Sequence, residues 1–193
     1  MICSKVLVPS GVLGLGFDIE ALKNGLNRKP DIISIDGGST DSGPYSLGSG
    51  TSKYSRSAIK SEWKILMKAR EEAKIPLLIG SSGTCGTDEM VDWMEDITIE
   101  LAEEMGQSIK ITKLYCEQDK EFIKTSFKNQ KISSLDPSPK IDTDIIQDMS
   151  HIVALAGAEQ IQECIKTGAD IILAGRTTDT AIISALPLMK GAD

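Results

Sequence analysis

Four nearly unbroken aliphatic stretches recur along the chain: 32–35 (IISI), 76–79 (PLLI), 152–156 (IVALA) and 171–174 (IILA). Helix-like segments separate them. Strands that are apolar on both faces belong in a sheet covered on both sides. Strands joined through helices must pair in parallel, because a parallel return needs a crossover of a dozen or more residues. Adding the weaker runs at 5–9 and 108–115, and taking 151–156 as a full strand, predicts six strands. The expected fold is an α/β three-layer sandwich with a doubly wound, mostly parallel sheet of about six strands, Rossmann-like. A barrel of eight units needs more chain than 193 residues supply. Residues 1–193 read as a single domain.

The helical segments carry their own signals. Asp18 reads as an N-cap, with Ile19, Leu22 and Leu26 on one face. Residues 54–74 place Ile59, Trp63, Leu66 and Ala69 at helical spacing, so both Trp63 and Trp93 are expected as core. Thr87 or Asp88 caps a helix running to about Met105. Further helices are predicted over 119–128, 159–166 and 179–189, with a short turn at 144–149. Gly168 stands at the C′ position of the one before it. The polar stretch 129–144 is expected to cross the surface.

Charge and composition exclude several functions. The chain has 28 Asp+Glu against 21 Lys+Arg, for a net charge of -7. A broad nucleic-acid or anionic-membrane surface needs a basic face, so neither partner is expected. No apolar run approaches the ~20 residues of a membrane span, and the first residues lack the features of an export signal. The four cysteines are dispersed without a CxxC pair, which excludes a zinc ribbon and fits reduced thiols in a cytoplasmic protein. One histidine, His151, argues against a His-rich metal site and most His-dependent triads.

In open parallel sheets ligands bind beyond the carboxyl ends of strands. Four predicted strand exits share one chemistry, at 9–18, 36–45, 80–88 and 175–180. Each combines glycine, hydroxyl residues and aspartate. Glycine admits close backbone approach, and helix-start N–H groups attract anions. Arg176 adds a guanidinium able to fork onto a phosphate or carboxylate. The plainer reading is that such loops merely turn and cap, and for any single exit it is preferred. The loop from Gly37 to Ser52 reverses the preference. Loops longer than ~12–15 residues without secondary structure are unusual unless functional.

Known fingerprints discriminate poorly. GxxxxGK[ST] is absent, Gly11, Gly14 and Gly16 are spaced GxxGxG rather than GxGxxG, and no GxSxG elbow occurs. Asp36 ends a strand where a ribose-binding acid stands in dinucleotide folds, which keeps that activity as a minority reading. Asp36 and Asp41 are equally readable as acid/base pair or loop braces, whereas Asp88 and Asp179 read as helix caps. No cofactor is specified; a hard divalent cation is the one the carboxylates would admit. Cys85, Glu117 and His151 are read as packing, a solvated loop acid and a satisfied histidine respectively.

The run Ile35-Asp36-Gly37-Gly38-Ser39-Thr40-Asp41-Ser42-Gly43-Pro44-Tyr45-Ser46-Leu47-Gly48-Ser49-Gly50 resembles the D-x-GSTD-x-GPYYLGSG hallmark of the acyclic-terpene-utilisation AtuA-type family. Gly80-Ser81-Ser82-Gly83 and residues 174–181 are similar to that family's later strand exits. The resemblance implies an α/β scaffold linked to catabolism of branched or terpenoid acids as coenzyme A thioesters. It also implies an architecture more than twice this length, with the chain as its N-terminal portion. Self-association through apolar surface facing a missing second half is then expected. Ser46 departs from the pattern, replacing a common second tyrosine.

The expected site follows. Asp36 and Asp41 are the catalytic candidates. Gly37, Gly38, Ser39, Thr40 and Tyr45 orient a small anionic, phosphorylated or CoA-linked metabolite. Ser81, Ser82, Arg176 and Thr177 contact its anionic group. Lyase or hydrolase chemistry is favoured over redox. The rival is a non-catalytic binding or regulatory subunit.

Overall fold

The structure is a computed structural model that describes residues 4–38 and 43–192. Five strands form one all-parallel sheet: β1 (Val6–Leu7), β2 (Ile32–Asp36), β3 (Leu77–Gly80), β4 (Ile111–Leu114) and β5 (Ile171–Ala174). Their order is β1-β2-β3-β5-β4. In β2, β3 and β5 alternate residues enter opposite cores, as the two-residue period of a strand requires. Ile33, Ile35, Leu77, Ile79, Ile171 and Leu173 face one core. Ile32, Leu78, Ile172 and Ala174 face the other. All ten are essentially fully buried. Each of the Ile and Leu side chains among them stabilises the fold by about 1.5–3 kcal/mol before chain entropy is counted.

The first core is covered by α1 (Ile19–Leu26), α3 (Arg56–Ala73) and α4 (Asp88–Met105), which contribute Leu22, Trp63, Leu66, Met94 and Ile97. The Trp63 indole Nε1–H donates to Thr98 Oγ1 at 2.9 Å, so its one polar atom is satisfied inside the core. The second core is covered by α7 (Ala158–Lys166) and α8 (Ala181–Met189), through Ile161, Cys164, Ile182 and Leu186. Sheet and two helical layers make the expected three-layer sandwich. Asp18 and Thr87 cap their helices as expected, and Asp119 caps a third.

Two expectations are corrected. Residues 151–156 do not form a strand within the sheet. They make only isolated bridges, Glu117 with Val153 and Ala156 with Thr177. Their hydrogen bonds go to backbone beyond the strand ends: Ala154 N–H to Cys116 O at 2.7 Å and Ala156 N–H to Arg176 O at 2.9 Å. The segment thus lies across the exits of β4 and β5. Its apolar composition misleads because Leu155 is 58% exposed rather than packed. The loop after β2 also holds a short helix, α2 (Tyr45–Ser49), followed by Gly50 at φ +64. The two remaining helices, α5 (Lys120–Lys128) and α6 (Thr143–Asp148), flank the exposed stretch 129–142.

The chain runs β1, β2, β3 in one direction across the sheet, then jumps to β4 and returns to β5. After β3 it leads into α4 against the first core, and after β5 into α8 against the second. The carboxyl ends of β3 and β5 are therefore a topological switch point, the crevice where open α/β sheets hold ligands.

Candidate functional site

The first strand exit is closed by the protein itself. Leu13 is fully buried and its N–H donates to Asp36 O at 2.8 Å. The N–H groups of Gly14 and Gly16 donate to the two carboxylate oxygens of Glu62, each at 2.8 Å. The glycine cluster does bind an anion, but that anion is a side chain of α3. This leaves the dinucleotide reading without its phosphate-binding loop.

The other exits meet at one rim. Gly37 N–H donates to Gly80 O at 2.7 Å, Ser81 N–H to Gly175 O at 2.8 Å and Ser82 N–H to Ala174 O at 3.0 Å. These loops touch backbone to backbone, which explains their glycines. A Cβ at Gly37 would lie 2.5 Å from Ser81 O, and one at Gly86 would lie 2.5 Å from the Arg176 nitrogen. The glycines here serve loop-on-loop packing, a third possibility beside turning and ligand approach.

Beside this rim lies a cleft of about 300 Å³, lined by Gly43, Pro44, Ser46, Leu47, Thr84, Cys85 and Arg176. A larger, open concavity of about 1190 Å³ runs along β1 and the end of α1, from Ser4–Val8 to Arg28–Pro30, at the opposite edge of the sheet. Of the strand exits its lining touches only that of β1, at Val8, whereas the smaller cleft joins α2 to the β3 and β5 exits, so the smaller cleft is the candidate site.

Arg176 is only 9% exposed. Its Nη1 donates to Thr84 O at 3.0 Å and to Gly38 O at 3.4 Å. These carbonyls aim the guanidinium without neutralising it, and no carboxylate lies within ion-pair distance among the described residues. A buried guanidinium on a cleft wall, without an ion pair among the described residues, is suited to receive an anion.

Asp36, at the end of β2, is 7% exposed and is not among the residues lining the cleft. Burial pushes its carboxyl up to about 6, and the Asp179 carboxylate adds to the rise. The N–H groups of Gly38 and Gly37 and the Arg176 charge pull the other way. A carboxyl poised near neutrality can both donate and accept a proton. Asp179 does not cap α8. Thr180 is the N-cap residue, and Thr178 Oγ1 accepts from Ala181 N–H at 3.1 Å. The exposed Asp179 instead acts on Asp36 through its field.

The remaining expected residues fall as follows. Ser81 is fully buried and exchanges 3.4 Å hydrogen bonds with the Thr177 backbone, so both staple β3 to β5. Ser82 Oγ is fully buried with no hydrogen-bond partner among the described residues. Tyr45 is 79% exposed and off the cleft lining, where Ser46 and Leu47 stand instead. Ser39, Thr40 and Asp41 lie outside the described residues. Among the described residues no three His, Cys, Asp or Glu side chains gather to hold a metal ion.

Sequence reasoning missed a second cluster. Asp88 is not a cap; its Oδ1 accepts the N–H groups of Cys116 and Glu117 at 3.1 and 3.0 Å, tying α4 to the β4 exit. Glu117 Oε2 accepts Asp88 N–H at 3.2 Å, while Oε1 lies 2.7 Å from His151 Nδ1. Cys85 has its Sγ 3.4 Å from Thr87 Oγ1. No local pattern announces the pairings of Asp88, Glu117 and His151, because the partners lie 28 to 34 residues apart.

With fold and site in view, comparison with protein families places the chain. Residues 45–190 match the model of the acyclic terpene utilisation family protein AtuA. The chain belongs to that family. The match begins at Tyr45, so it contains α2, the SSGT loop and Arg176, while Asp36 precedes it. Comparison with curated proteins and with solved structures returned no match. Among the described residues no helix is long and apolar enough to cross a membrane.

Proposed function

We propose that the cleft between α2 and the β3 and β5 exits binds the anionic group of a small metabolite and carries out lyase or hydrolase chemistry on it. The observation that carries this reading is the buried Arg176 guanidinium on the cleft wall, without an ion pair among the described residues, with the raised carboxyl of Asp36 at the neighbouring β2 exit. Arg176 anchors the anion. Asp36 donates or accepts the proton. Ser82 Oγ, buried without a hydrogen-bond partner among the described residues, supplies a further hydrogen bond. Ser39, Thr40 and Asp41 are assigned to substrate binding and catalysis on their place in the glycine-rich run alone. The family assignment supports branched or terpenoid acids, free or as coenzyme A thioesters, as the substrate class.

The test is thermal denaturation of the full chain with inorganic phosphate, isovalerate and isovaleryl-coenzyme A as probes. At least one should raise Tm, and Arg176→Gln should abolish the rise. Turnover lost in Asp36→Asn with binding retained makes the chain an enzyme. Binding without turnover by any of the three makes it a ligand-binding subunit. No response to any probe removes the anion site.

A further inference from the structure

The two outer edges of the sheet are finished differently. At one edge, Lys113 within β4 pairs with Glu95 at 2.6 Å and with Asp92 at 2.9 Å, the charged covering that protects an edge strand. At the other edge, β1 and the residue after it read Val6-Leu7-Val8, without a charge. Among the described residues its one strand neighbour is β2. Lys5, just before β1, turns both backbone groups toward β2. Its N–H donates to Asp31 Oδ2 at 2.7 Å and its carbonyl accepts the Asp31 N–H at 2.8 Å. Backbone groups of successive strand residues point alternately to opposite edges, so Val6 and Val8 turn theirs to the open one.

That edge borders the open concavity of about 1190 Å³ between residues 4–8 and α1. Ala21, Asn24 and Gly25 form its helical wall, at the i, i+3, i+4 spacing of one face. Helix and strand are in close contact there, since a Cβ at Gly25 would fall 2.4 Å from Leu7 Cδ1. Lys5, Arg28 and Lys29 stand in the lining and no carboxylate does, in a chain of net charge -7. Lys5 Nζ donates to the Arg28 carbonyl at 2.8 Å, and none of the three cations has an ion pair among the described residues. They gather at the amino ends of β1 and β2, while Val8, 40% exposed, marks the apolar other end.

We propose that this groove binds an extended acidic peptide segment of a partner protein, added antiparallel to β1 as a further strand. The peptide main chain pairs with Val6 and Val8. Its apolar residues lie beside Val8, and carboxylates at its C-terminal end meet Lys5, Arg28 and Lys29. Residues 4–8 offer about 16 Å of edge, enough for five peptide residues. Antiparallel pairing is the more stable per residue, and strand addition draws its affinity from the main chain. The phosphates of a nucleic acid or a membrane would answer the cations but leave the strand edge unpaired. A second copy docked edge to edge would bring three more cations and no lining carboxylate. The groove shares no lining residue with the Arg176 cleft, so the two proposals stand or fall separately.

The test uses the full chain, ¹⁵N-labelled, with the peptide acetyl-Thr-Val-Thr-Val-Glu-Glu bearing a free C-terminus. Binding should slow amide exchange at Val6 and Val8 and leave Lys5 and Leu7 unchanged, with NMR shifts confined to 4–8 and 21–30. The double variant Arg28→Glu, Lys29→Glu changes two exposed side chains and should weaken binding roughly tenfold. The same peptide N-methylated throughout keeps its charge, cannot pair and should not bind. Absence of binding at millimolar peptide overturns the proposal. Equal binding of the N-methylated peptide, or protection without alternation along β1, reduces the groove to a charge site and overturns strand addition. A chain that sediments as a dimer with Val6 and Val8 already protected puts a second copy in the groove, and the peptide assignment falls. The wild-type exchange pattern decides even if the double variant fails to fold.

Discussion

The two ends of the same sheet treat charge in opposite ways. At the amino ends of the strands Arg70, Asp170 and Asp31 are paired. Arg70, 5% exposed, binds Asp170 at 2.6 Å before β5. Asp31, before β2, accepts the Lys5 N–H at 2.7 Å and Lys190 Nζ at 2.7 Å, which ties the end of α8 to β1. At the carboxyl ends Arg176 and Asp36 are more than nine-tenths buried and without an ion pair among the described residues. Charges paired at one end of the sheet and, among the described residues, without an ion pair beside the cleft at the other are what the proposed anion site requires.

The largest expected effect breaks the paired end. Arg70→Ala removes a buried guanidinium and leaves Asp170 half-buried without its partner, costing about 3 kcal/mol of stability in urea denaturation. A loss below 1 kcal/mol would mean that the pairing there is incidental.

The unpaired end should respond with the opposite sign. Asp36 has its carboxyl raised from 3.8 to about 6. For a raised acid the stability contribution is complete below the unfolded value and is lost as pH rises through the folded value. At pH 8 the protein therefore bears a cost of about 3 kcal/mol, at 1.36 kcal/mol per tenfold change in proton affinity. Asp36→Asn should stabilise the protein by up to that amount at pH 8, and by little at pH 4. Denaturation curves at the two pH values measure it. Destabilisation at pH 8 would show that the ionised carboxylate braces the rim.

Gly86→Ala tests whether the rim glycines serve packing. Its Cβ would lie 2.5 Å from backbone nitrogen, in a left-handed conformation. A loss of about 1–3 kcal/mol is expected. An unchanged Tm would return these glycines to ligand approach.

The smallest effect is at Asp31. The Lys190 hydrogen bond, and then the Lys5 N–H, hold its carboxyl below the usual value. Stability from a lowered acid is present above the unfolded pKa and lost as pH falls through the folded one. Asp31→Asn should thus cost less than about 1 kcal/mol at pH 7, after solvent screening, and nothing near pH 2. A larger loss would mean that the α8 tether is cooperative with the sheet.

Much of this was legible from the chain alone. The aliphatic runs at 32–35, 76–79 and 171–174 became the three central strands because both of their faces are covered. Asp36 and Arg176 stood out because strand exits are where an open sheet displays chemistry. The run at 152–156 has the same composition but failed as a strand, since burial depends on what lies beside a segment. The occupancy of the first loop by Glu62 was invisible, as nothing links a carboxylate on α3 to glycines 46 and 48 residues earlier. The Glu117–His151 contact was hidden in the same way, and expecting a strand at 151–156 placed the histidine at the wrong end of the sheet.

The most direct test of the contrast between the two ends is the titration of Asp36, followed by ¹³C NMR of its side-chain carboxyl in the ligand-free protein. A midpoint near 6, rising when Arg176 is replaced by Gln, is what an unpaired buried carboxyl beside a single cation predicts. A midpoint at or below 4 would mean that Asp36 is already compensated within the protein, and that the carboxyl edge is as settled as the amino edge.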